Sequence, residues 1–72
     1  MVRLANISGK KAVKAFEKLG YIVARKTGSH IILKHPNRPT LTIPEHKELA
    51  PGLLRAIVSQ AGVDVNDFLS NL

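Results

Sequence analysis

Ala12, Val13, Phe16 and Leu19 fall on one side of a helix of period 3.6, while Lys10, Lys11, Lys14 and Lys18 fall on the other. Ser8 stands where an N-cap is wanted and Gly20 where a helix must stop, so the pattern predicts an amphipathic first helix over Gly9 to Leu19. The period then changes. Tyr21 to Lys26 and His30 to His35 are rich in strand-forming residues, and Thr27-Gly28 between them reads as the turn of a hairpin. Pro36-Asn37-Arg38-Pro39 breaks the chain, Thr40 to Ile43 reads as a third short strand, and Pro44 ends it. Pro51 suits the first turn of a second helix running to about Ala61, with Leu53, Leu54, Ile57, Val58 and Ala61 as its apolar stripe and Gly62 as its stop. Asp64 caps a last short helix from which Val65, Phe68, Leu69 and Leu72 pack back.

Strand parity assigns faces to these residues. With Thr27-Gly28 as a two-residue turn, Lys26 faces Ser29, Arg25 faces His30, Val23 faces Ile32 and Tyr21 faces Lys34. The other side then carries Ile22, Ala24, Ile31 and Leu33, which is the more apolar set and the one a helix should cover. Leu41 and Ile43 join that core side. Arg25, His30 and Lys34 are left together on an open face with Thr40 and Thr42. The expected fold is α+β, an α-β-β-β-α order with a three-stranded antiparallel sheet, two helices on one face and a short C-terminal helix.

A chain of 72 residues makes one domain, and at this size folding buries only about 60% of the unfolded surface, so modest stability is expected. The absence of cysteine removes disulfides and Cys-based zinc sites. No apolar run is long enough to span a bilayer, and Met1 to Asn6 is too short and polar for a signal-peptide h-region. A cytoplasmic protein with no membrane association is the expectation.

Charge changes the picture more. Residues 1–38 hold nine Lys and Arg against Glu17 alone, whereas residues 39–72 hold Lys47 and Arg55 against Glu45, Glu48, Asp64 and Asp67. That asymmetry points to an anionic partner, nucleic acid ahead of membrane, because no basic stretch is paired with a broad exposed apolar face. A merely solvated basic surface is the plainer account.

Within the basic half, Gly28-Ser29-His30 places a lone imidazole where a turn becomes a strand. An imidazole titrates near neutral pH, so it can take a proton from a ribose 2′-hydroxyl while neighbouring cations stabilise the charge that builds at phosphorus. Gly28 gives the turn its freedom, and Ser29 can bind a phosphate oxygen or orient the ring. His46 follows Pro44, and the antiparallel order carries it toward His30, where it can act on the leaving 5′-oxygen or contact phosphate; otherwise it is a loop residue near a helix N-terminus. His35 shares parity with Ile31 and Leu33 and reads as a residue at the margin of the core. Separations of five and eleven residues between the histidines match no local metal-ligand motif, and no metal or small-molecule cofactor is expected. Of the aromatics, Tyr21 alone reads as exposed, too few for a base-stacking platform.

The ordered set Ser8-Gly9-Lys10, Leu19-Gly20-Tyr21, Gly28-Ser29-His30, Leu33-Lys34-His35-Pro36, Ile43-Pro44-Glu45-His46, Lys47-Glu48-Leu49, Leu54-Arg55-Ala56-Ile57 and Gln60-Ala61-Gly62 resembles the HicA toxin family over nearly the whole chain. The resemblance implies a fold similar to a double-stranded-RNA-binding domain and an endoribonuclease that degrades messenger RNA and inhibits translation. It places the essential histidine at His30 and implies neutralisation by a HicB antitoxin that occludes the active site. The expectation is therefore a metal-independent RNA-cleaving toxin with His30 as general acid or base. Arg25, Lys26 and Lys34 would bind the scissile phosphate, and Lys10, Lys11 and Lys14 would guide RNA. A non-catalytic RNA-binding module of the same fold is the first alternative. The second is a protein-interaction domain whose basic surface docks an acidic partner.

Overall fold

The structure, a computed structural model, describes residues 4–72. Arg3 and the first residues of the Met1 to Asn6 segment lie outside the described residues. The elements are α1 (Gly9–Lys18), β1 (Ile22–Thr27), β2 (His30–His35), β3 (Arg38–Pro44), α2 (Pro51–Ala61) and α3 (Val65–Ser70). The strands form one antiparallel sheet in the order β1-β2-β3, α1 and α2 pack on one face of it, and α3 packs against those two helices. This is the α-β-β-β-α order of a fold like the double-stranded-RNA-binding domain.

Ser8 caps α1 as its sequence suggests, its hydroxyl accepting from the Lys11 N–H at 3.1 Å. At the other end Gly20 takes a φ of +102°, and two backbone bonds close the helix: Gly20 N–H to the Glu17 carbonyl and Tyr21 N–H to the Phe16 carbonyl. This is a Schellman stop, which brings the residue after the glycine back against the last helical turn. Tyr21 is accordingly buried, its ring 5.6 Å from that of Phe16 and its hydroxyl donating to the Pro39 carbonyl at 2.9 Å. The expectation of an exposed Tyr21 on the open face fails because the helix stop, not strand alternation, aims this side chain. Phe16 is fully buried and also meets Phe68 of α3 at 4.9 Å, so α1, α3 and the start of the hairpin share one aromatic contact. Ile31, Leu33, Leu41 and Ile43 form the sheet's side of the core, and Leu54, Ile57, Val58 and Ala61 complete it from α2.

The hairpin register differs from the sequence expectation. The turn is Gly28-Ser29, with Thr27 opposite His30, Lys26 opposite Ile31 and Arg25 opposite Ile32. Gly28 has φ +57° and Ser29 does not have a positive φ, the pattern of a type II′ turn, which wants glycine first rather than second. Moving the turn by one residue shifts the pairing by two, so Arg25 keeps its face although it does not face His30. A bulge between Val23 and Arg25 then reverses the rest of β1, putting Val23 opposite Leu33 and Ile22 opposite Lys34. Ile22 and Ala24, expected under a helix, are exposed, Ile22 at 64%. β1 is an edge strand, and every one of its residues is exposed. β3 extends beyond its expected bounds at both ends and takes in Pro39 and Pro44, which its edge position tolerates. Leu53, at the margin of the α2 stripe, is 42% exposed, and Leu72, placed with the α3 stripe by periodicity, is 48% exposed because α3 ends at Ser70 before reaching it.

Gly9 opens α1 buried against the end of β3. Its N–H donates to the His46 carbonyl at 2.9 Å, and a Cβ at this position would fall on the Pro44 carbonyl oxygen. Glycine to alanine ordinarily stabilises a helix by roughly 0.5–1 kcal/mol. Here overpacking reverses the sign. Gly9→Ala is expected to lower the unfolding free energy by about 1–3 kcal/mol, read as a lower urea midpoint at unchanged slope. An unchanged or raised midpoint would mean the junction yields without cost.

Candidate active site

His30 occupies the first position of β2, immediately after the Gly28-Ser29 turn, and is exposed to solvent on the sheet's open face. Space around Gly28 is empty, so what the turn demands of this residue is its positive φ and not its small size. Ser29 is held through its backbone: its carbonyl accepts from the Glu45 N–H at 2.6 Å, which fastens the turn to the end of β3. The His30 imidazole has no side-chain hydrogen bond among the described residues, so both ring nitrogens are available to a ligand.

Alternation places Arg25, His30 and Lys34 on the open face, with Thr27, Ile32 and Thr42 between them. No Asp or Glu lies on any of the three strands, so the positive charge of this face is not offset locally. Lys26 stands apart from Arg25 and Lys34. It pairs across the strand with Ile31, on the core side, and its ammonium meets the Glu45 carboxylate at 2.7 Å. The hydrogen bond from Lys26 holds the Glu45 carboxyl below its ordinary range; partial burial opposes the shift, and the charges of Lys26 and Lys10 reinforce it. Nothing in the local sequence marks this clamp, because a pairing between residues so far apart exists only once the strand register is known.

The start of α1 lies beside the same segment. With Gly9 bonded to the His46 carbonyl, a polar cleft of about 420 Å³ forms from Ser8, Lys10, Glu45, His46 and Lys47. Pro44 is the cross-strand partner of His30, so His46 follows it by two residues, as the antiparallel order suggests. Lys47 joins Lys10 and His46 here and was missed by sequence reasoning, which had only its place in a loop to go on. Lys11 and Lys14 do not join this cluster. They line a separate groove together with Lys18, on the outer side of the helical layer. His35 has a packing role: its ring lies 4.9 Å from that of Tyr21, and its Nδ1 accepts from the Asn37 N–H at 3.0 Å.

The family model for the HicA toxin of bacterial toxin-antitoxin systems matches residues 9–63. The chain belongs to the HicA toxin family. No curated protein matches it. The HicA match spans α1, the whole sheet and α2, and contains every candidate residue described above apart from Ser8; α3 lies beyond it. Membership in the HicA family gives the chain a toxin role and implies an antitoxin partner. No helix among the described residues is long and apolar enough to cross a membrane.

Because the native carboxyl of Glu45 titrates below the ordinary value of 4.5, the ion pair contributes stability above that pH and loses it as pH falls through the depressed native value. The urea midpoint of the wild-type HicA chain is therefore expected to exceed that of Glu45→Gln near neutrality, with the gap closing on acidification. A gap that is constant with pH would assign the effect to packing and not to charge.

Proposed function

We propose that this HicA chain is an endoribonuclease that cleaves messenger RNA without a metal ion, with His30 as its general acid or base. The observation that carries the reading is the exposed, unpartnered His30 at the head of β2, on one sheet face with Arg25 and Lys34 and with no acidic residue on that face among the described strands. With His30 as the base, its imidazole takes the proton of a ribose 2′-hydroxyl, the 2′-oxygen attacks the adjacent phosphorus, and the bond to the 5′-oxygen breaks. Arg25 and Lys34 stabilise the charge that accumulates on the phosphoryl oxygens. His46, at the same end of the sheet, can return a proton to the leaving 5′-oxygen. Ser29 and Gly28 set the position of His30, and Lys10 with Lys11 and Lys14 draws RNA toward the domain by long-range attraction. Lys26, committed to Glu45, contributes through the clamp rather than by direct phosphate binding. The products are a 2′,3′-cyclic phosphate and a 5′-hydroxyl. The antitoxin is of the HicB type, and it neutralises the toxin by covering the open face.

The deciding experiment incubates the partner-free chain with a long defined RNA in EDTA, beside His30→Ala whose fold is verified by circular dichroism. Wild type is expected to cut, and the variant to cut at least ~100-fold more slowly. If neither cuts and both bind RNA, the chain is a non-catalytic RNA-binding module. Comparable cleavage of an all-deoxy strand would overturn the 2′-hydroxyl mechanism. Arg25→Ala and Lys34→Ala should each weaken RNA binding and make the slope of log affinity against log salt shallower by about 0.7 for each phosphate that the side chain neutralises. An unaltered slope would remove these residues from the phosphate site.

A further inference from the structure

On the outer side of the helical layer, α1, the segment before it and the end of the chain enclose a groove of about 370 Å³. Its walls include Ile7, Leu69 and Leu72, and Leu72 is 48% exposed, one of the few large apolar side chains left to solvent. Along its rim stand Lys11, Lys14 and Lys18, spaced by three and four residues, so they form one stripe on α1 about 10 Å long. None of the three lysines is buried, none forms an ion pair among the described residues, and no Asp or Glu lines the groove. The opposite side of α1 is the one buried against the sheet, so the groove faces away from His30.

A cationic stripe alone would suit a phosphate backbone. An apolar wall beside it does not, since a nucleic-acid backbone has no apolar side chain to bury there and no aromatic residue lines the groove for a base to stack on. A peptide segment with carboxylates along one side and aliphatic side chains along the other satisfies both halves. We infer that this groove docks an acidic, leucine-containing segment of the antitoxin partner, an attachment separate from any that covers the open face of the sheet. The inference rests on the antitoxin implied by family membership and not on the ribonuclease reading. Through this attachment the partner holds the toxin by its helical layer, whether or not His30 is covered.

The test titrates the isotopically labelled full chain with three probes at about 0.15 M salt. These are a capped peptide of about twelve residues in Glu-Glu-Leu repeats, an all-Glu peptide of equal length, and a short single-stranded RNA. The Leu-containing peptide is expected to bind about tenfold or more tighter than the all-Glu peptide, with amide shifts gathered at residues 5–7, 11–18 and 69–72. Leu72→Ser and Lys18→Glu should each weaken it about tenfold, and Leu72→Ser, which leaves every charge in place, should not alter RNA cleavage. Equal affinity of the two peptides would reduce the groove to general charge attraction and overturn the proposal. RNA that displaces the bound Leu-containing peptide from the groove would overturn it in favour of a nucleic-acid surface. A concentration-dependent dimer of the chain alone, dissociated by Leu72→Ser, would overturn it in favour of a second copy as the occupant.

Discussion

The three residues from Pro44 to His46 are bonded on both sides. The Glu45 N–H donates to the Ser29 carbonyl at 2.6 Å, and the His46 carbonyl accepts from the Gly9 N–H at 2.9 Å. This short peptide therefore joins the hairpin turn, the end of β3 and the start of α1. Each bond adds only about 0.5–1.5 kcal/mol net, so its main contribution is geometric. The turn that carries His30 cannot swing away from the sheet without breaking its tie to Glu45, and α1 cannot tilt without breaking its tie to His46. The Lys26–Glu45 ion pair adds a side-chain tie across the same junction. In the cleavage proposed above, an imidazole that has to meet a phosphodiester at hydrogen-bond distance gains from being mounted on a turn pinned from the neighbouring strand.

What could be read from the residues was whatever depends on near neighbours. The Ser8 cap, the extent of α2 from Pro51 to Ala61, the Asp64 cap and the exposed position of His30 all follow from local patterns, and the structure has them. Register was not local in that sense. Thr27-Gly28 and Gly28-Ser29 are equally short, and only the demand of a type II′ turn for glycine at its first position separates them. Arg25 kept its face because an error of one residue at the turn moves the pairing by two. Ile22 and Val23 did not, because the bulge beyond Arg25 carries no sequence mark and arises where β1, uncovered on its outer side, is free to bend. Tyr21 departs from expectation for a related reason: the Schellman stop overrides the alternation of the strand that follows it.

The surplus of positive charge is not a uniform coat. The sheet places Arg25 and Lys34 with His30 on one face, Lys26 is neutralised by Glu45 on the other side, and the stripe of Lys11, Lys14 and Lys18 lies on the outer side of α1. The two free clusters are separated by the thickness of the domain, so an anion bound to one contributes little to the other across a screening length of about 8–10 Å. Residues adjacent in sequence, such as Arg25 and Lys26, thus have different duties, and the pleat of one strand is what divides them.

β1 and β3 both end the sheet with unpaired backbone groups, the arrangement through which small domains polymerise strand to strand. Neither edge is inviting. Pro39 and Pro44 remove donors from β3, while β1 carries a bulge and the adjacent charges of Arg25 and Lys26. A toxin freed from its antitoxin exposes whatever surface the partner had covered, sheet edges included. The same irregularity in β1 that defeats a simple register also makes that edge a poor template for the sheet edge of a second released chain.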